Sequence, residues 1–174
     1  MWRRLALAAC ALLLPAAAAT QDVKPAIDQV SADLAYGYCP RFLAGQFALA
    51  DNPRLVAFGF APIVEKAPNP RFGELQMVTA NRADGEISFG GAPQKVCSVV
   101  VTGANRDKAL ARLRSGMAQM GVPFKADLTN TGDRGAVKLE SYKGRVDGQM
   151  LNVQLIQAGV PEPTVVAQLF VTAE

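Results

Sequence analysis

The chain has 174 residues, half of them apolar and 19 % charged, with three cysteines, no histidine and a formal net charge of +3. The lack of histidine excludes Ser-His-Asp and Cys-His nucleophilic sites and His-ligated zinc. Removing Arg3 and Arg4 from the 18 basic residues leaves 16 against 15 acidic ones, with no long run of like charge, so neither nucleic acid nor an anionic membrane surface is implied as a partner.

Those two arginines open a targeting pattern. Arg3 and Arg4 form a charged region, residues 5–14 an apolar run, and Ala17-Ala18-Ala19 a small-residue cleavage motif. The run is too short to span a bilayer, which needs about 20 apolar residues. The expectation is a secretory signal peptide over 1–19, cleavage near Ala19, and one domain over 20–174 without a transmembrane segment. Leu7-Ala8-Ala9-Cys10 looks like a lipoprotein cleavage box but comes too early, and one Arg-Arg dipeptide does not make a twin-arginine signal. With Cys10 set aside, Cys39 and Cys97 remain, and an oxidising compartment favours their pairing. Such a bond would contribute about 4 kcal/mol in the chain-entropy treatment.

Residues 20–73 read as a helical layer with a Pro-rich connector. Asp22 can cap a first helix with Pro25 in its opening turn. Ile27, Val30 and Leu34 share a face that Tyr38 continues, and Gly37 and Pro40 end the helix around Cys39. Pro40 opens a second short helix with Leu43 and Phe47 on one side. Asn52-Pro53 starts a third through Leu55, Val56 and Phe58. Residues 61–73 hold three prolines and no periodicity, as expected of a connector.

From Glu74 the apolar period becomes two. Strands are expected around Leu75–Ala80 and around Ile87 and Phe89, joined by a turn over 81–85 and broken by Gly90-Gly91. Residues 96–102 form a strand apolar on both faces. Asn105 caps an amphipathic helix with Asp107 in its first turn, Leu110, Leu113, Met117 and Met120 on one stripe, and Lys108, Arg112, Ser115 and Gln119 opposite. Gly121-Val122-Pro123 stops it. A short strand follows through Phe124, Ala126 and Leu128. Three more alternating strands complete the chain, the first with Val137 and Leu139 inward and Lys138 and Glu140 outward. The fold class expected is α+β: an N-terminal helical layer and one central amphipathic helix packed on an antiparallel meander.

No motif for chemistry stands out. Residues 99–106 look like the start of a short-chain dehydrogenase nucleotide loop, but the further glycines are missing, Asp107 would repel phosphate, and antiparallel strands follow. Glu65, Glu74, Glu86 and Glu140 share no motif. Residues 127–133 lack the calcium-loop pattern. No catalytic, metal or cofactor residue is therefore assigned, and no cofactor is expected. Arg106, Lys108 and Arg112 read as a solvated helix face. Tyr36, Tyr38 and Phe42 form the densest aromatic stretch, read first as core packing around a disulfide; the other reading makes them, with Arg71 and Phe72 of what is otherwise an ordinary connector, the candidate contact surface. The function expected is an exported, non-catalytic binding or interaction module of the bacterial envelope. Its partner would be another envelope protein, or a small apolar ligand held between helices and sheet. Alternatives are a proteinaceous inhibitor of a secreted hydrolase and a carboxylate-dependent enzyme.

Overall fold

The structure is a computed structural model that describes residues 24–159 and 161–172. The expected signal peptide with its cleavage site at Ala19, Cys10, and the cap expected from Asp22 lie outside the described residues. The strands are β1 (Glu65–Asn69), β2 (Gly73–Arg82), β3 (Gly85–Ala92), β4 (Val96–Thr102), β5 (Lys125–Ala126), β6 (Gly132–Arg134), β7 (Val137–Val146), β8 (Gln149–Ala158) and β9 (Thr164–Thr172). They form one antiparallel sheet of nine strands in the order β1-β2-β3-β4-β9-β8-β7-β5, with β6 also on β7. Among the described residues four short helices accompany it: α1 (Ile27–Ala32), α2 (Cys39–Leu43), α3 (Pro53–Phe58) and α4 (Arg106–Gly116). A π-helical stretch, Asp33–Tyr38, joins α1 to α2, and a 3-10 turn, Met117–Met120, extends α4. The architecture is α+β.

Strand alternation decides which face is buried. Phe89 pairs with Val99, Val99 with Ala167, and Ala167 with Leu155, so these side chains point to one side of four neighbouring strands. All four are fully buried, in one core with Val30 and Leu34 from the first helical run, Phe42 from α2 and Leu113 from α4. Cys97 lies on the same face and forms a disulfide with Cys39, with a Cα–Cα separation of 5.4 Å. The bond joins the helical layer to the middle of the sheet.

Several expectations are corrected. The connector over 61–73 contains β1, an edge strand whose Pro68 is tolerated because an edge need not donate on both sides. β3 runs through Gly90-Gly91 instead of breaking there. Both glycines have φ near +145° (145° and 148°), and a Cβ on either would lie within 2.1 Å of a neighbouring carbonyl oxygen, Gln76 O or Val96 O. A side chain at either position could not fit, so the pair lets neighbouring backbones close up. The expected strand through Leu128 shrinks to the two residues of β5, and Leu128 is exposed. The helix expected through Leu43 and Phe47 ends at Leu43, with Phe47 in the following loop.

Glu140 is not outward but on the helix-bearing face. It pairs with Leu155 across β7 and β8, and its carboxylate takes both a side-chain and an ionic contact from Arg114 of α4. Arg112 is likewise not simply solvated: it is half-buried and donates to Gln29 Oε1 on α1. The α4 start is also built differently. Asn105 stands at the N-cap but makes no capping bond with its side chain, which donates instead to Asp84 O at 2.9 Å.

A groove beside a widened helical turn

The first helical run begins at Ile27 with no side-chain cap of its own. A residue from the β2–β3 turn supplies one: Ile27 N–H donates to Asp84 Oδ2 at 2.8 Å. Asp84 is held in turn by Arg82, whose Nε donates to Asp84 Oδ1 at 2.8 Å and whose Nη1 donates to Phe58 O at 2.9 Å. The guanidinium hydrogen bond beside Asp84 holds its carboxyl below the usual carboxylate range, against a smaller opposing effect of burial. One ion pair thus fixes the start of α1 and the end of α3.

Past Ala32 the run widens into the π-helical stretch. Its closing bond is Cys39 N–H to Leu34 O, one residue longer than the α-helical reach. Pro40 supplies a physical reason. It has no N–H to give the carbonyl four residues back, and its ring would crowd that carbonyl in a regular helix. The extra residue also changes which side chain continues the buried face. After Leu34 that position falls to Cys39, not to Tyr38, so the cysteine reaches Cys97 and Tyr38 turns out to the rim.

The rim encloses an open groove of about 600 Å³ between the π-helical stretch, the start of α3 and the end of the 3-10 turn. The rings of half-buried Tyr38 and Phe47 lie 5.1 Å apart in its wall. Asp33, Arg41, Arg54 and Gln119 supply its polar groups. Asp33 is oriented by Gln29, whose Nε2 donates to Oδ1 at 2.7 Å and whose own Oε1 accepts from Arg112. The Arg41 and Arg54 side chains are exposed, and among the described residues neither has an ion-pair or hydrogen-bond partner.

The five side chains expected to form a contact surface are not brought together. Phe42 is buried and packs edge-on against Phe89, with ring centroids 6.2 Å apart. Tyr36 is buried, and its hydroxyl donates to Leu113 O at 2.6 Å. Burial, then the neighbouring Tyr142, pushes the Tyr36 phenol well above its ordinary range. Tyr36 and Tyr38 both line the groove, Tyr36 buried and Tyr38 half-buried, whereas Phe42 does not reach it. Arg71 and Phe72 lie across the sheet: Asn69 Oδ1 accepts from both their amides, and the Arg71 guanidinium sits 5.0 Å from the Phe72 ring and 5.9 Å from that of Phe170. Phe170 follows Leu169 on β9, so it points to the face opposite the helices. Arg41, Arg54 and Asp33 escaped the sequence reading, and Gln119 reads there only as part of the polar face of the amphipathic helix. Pro40 three residues after Gly37 was the available signal of a distorted turn.

The carboxylates named from sequence are scattered. Glu65 and Glu86 are exposed, and Glu74 pairs with Lys66 at 3.0 Å. Glu140 accepts from Arg114 and from the Tyr142 hydroxyl at 3.0 Å, and the arginine holds it below the usual carboxylate range. Burial, with Glu140 beside it, pushes the Tyr142 phenol upward. Among the described residues no group of three or more Cys, Asp or Glu is placed to hold a metal ion. Compared with protein-family models, curated proteins and solved structures, the chain finds no match.

Proposed function

We propose that this chain is a non-catalytic binding module of the cell envelope and that a partner protein docks in the groove beside the π-helical stretch. The observation that carries the reading is two exposed guanidiniums lining the groove beside an aromatic wall, Arg41 and Arg54, neither with a partner among the described residues. A widened turn costs regular helix hydrogen bonding, and such turns occur disproportionately at functional sites. The groove opens on the outer side of the helical layer, whereas Phe42, Phe89 and Leu113 fill the space between helices and sheet. That favours a protein partner over a small apolar ligand between the layers. The carboxylates with a displaced pKa, Asp84, Asp127 and Glu140, all move downward, which supports ionised partners for arginine and lysine and not a proton donor near neutral pH. Export rests on the pattern in residues 1–19 and on a disulfide that an oxidising compartment would preserve.

Site-specific photo-crosslinking in the native host tests this. A photoreactive residue replacing Gln119, at the groove, should give one discrete higher-mass adduct. The same residue replacing Glu65 or Lys138, away from the groove, should give none. Equal adducts from all three positions, or none from Gln119, would reject the groove as the docking surface.

A further inference from the structure

The groove has a direction, and that direction specifies the chemistry of what fits it. Asp33 and Arg41 lie eight residues apart on one helical run, so about two turns and roughly 10 Å separate them along its axis. Tyr38 falls between. Along this run the groove therefore presents the Asp33 carboxylate, then the Tyr38 ring beside Phe47, then the Arg41 cation, while Arg54 lines the groove from the start of α3. Asp33 is fixed where it stands, since Gln29 donates to it and Arg112 holds Gln29. Arg41 and Arg54 have no competing partner among the described residues, so a ligand carboxylate gains both without breaking an ion pair. Guanidinium matches carboxylate with parallel N–H donors, and such pairs are stronger than neutral hydrogen bonds.

Resting on the docking surface proposed above, we infer that its occupant is an extended acidic segment of the partner protein. An aromatic side chain of that segment lies against Tyr38 and Phe47, and one or two carboxylates lie on Arg41 and Arg54. The residues reaching Asp33 are neutral or basic. An extended chain advances about 3.3 Å per residue, so roughly three residues span the distance from Asp33 to Arg41. A segment acidic along its whole length is disfavoured, because one end would face the fixed Asp33 carboxylate.

Fluorescence anisotropy with synthetic peptides on the full, oxidised chain tests this. One labelled peptide carries a lysine, a phenylalanine and then two glutamates. A second reverses every charge, and a third is acidic throughout. The first should bind saturably, weaken as salt rises, and lose at least about tenfold in affinity on Arg41→Glu with Arg54→Glu. The charge-reversed peptide should gain affinity for that double variant, a rescue that damage to the fold would not produce. Asp33→Asn should bring the wholly acidic peptide up toward the first. Arg41→Gln with Arg54→Gln gives a milder pair should the reversal unfold the chain. Failure of the first peptide to bind, or binding indifferent to the reversal, overturns the acidic-segment assignment. Adducts from Gln119 would still uphold the groove in that event, and their absence would remove both.

Discussion

Gly116 shows how closely single atoms determine this core. A Cβ there would lie 3.2 Å from two carbons of the Tyr36 ring. The ring cannot easily move away, because its hydroxyl is anchored on Leu113 O in the turn just before the glycine. Alanine would add overpacking of about 1–3 kcal/mol, against a helix-propensity gain of at most about 1 kcal/mol that is smaller at a helix end. Gly116→Ala is therefore expected to lower stability by roughly 1 kcal/mol, read as a drop in the urea midpoint with unchanged slope. An unchanged or raised midpoint would mean the ring yields freely. Nothing in the sequence tells that Gly116 makes room for a tyrosine. Tyr38 and Cys39 are a similar case. A regular helical period assigns the buried face to Tyr38, and only the extra residue of the widened turn passes it to the cysteine.

Among the elements, the β2–β3 turn organises the helices more than they organise themselves. Arg82 and Asp84 fix the start of α1 and the end of α3, while Asp84 O takes the Asn105 side chain at the start of α4. The helices are short and carry few caps of their own, so little in their local sequence would hold them alone. Asp84 makes the dependence measurable. Its folded-state pKa is depressed, so its contribution is present above the ordinary value of 3.8 and is lost as pH falls through the lower, folded value. Asp84→Asn should be less stable than the parent chain at neutral pH, and the gap should narrow only below about pH 3.8. A gap that stays constant from pH 7 to pH 2 would show that the charge at this turn contributes nothing. Strand existence was largely legible from period-two alternation, as were the α4 stripe and the stop at Gly121, which ends the 3-10 turn after α4. Strand faces were less so: Glu140 reads as outward on polarity alone, and only the facing Arg114 makes a charged residue tolerable on the helix side.

For the molecule as a whole, the Cys39–Cys97 bond spans 58 residues and joins the helical layer to β4. Replacing both cysteines by serine is expected to cost about 4 kcal/mol through the freer unfolded chain. Denaturation of the oxidised and double-variant proteins would measure it, and a difference under about 1 kcal/mol would mean that the unfolded chain keeps the two segments close. Cysteine count made this pair legible from sequence, because setting Cys10 aside with the expected signal peptide leaves two cysteines and one intramolecular bond. Strand order was not legible, since alternation says that a strand is half-buried but not which strands flank it. The order has its own consequence for assembly. β9, the last of the described strands, lies between β4 and β8 and separates the first four strands from the β7–β8 hairpin. Until residues 164–172 arrive, a growing or threading chain holds two half-sheets with bare inner edges, β4 rich in valine and β8 carrying Leu151, Val153 and Leu155. Folding is therefore committed late, by a long-range pairing that is slow to find. In the interval those bare edges are open to other chains, and a chaperone that shields extended segments would act here.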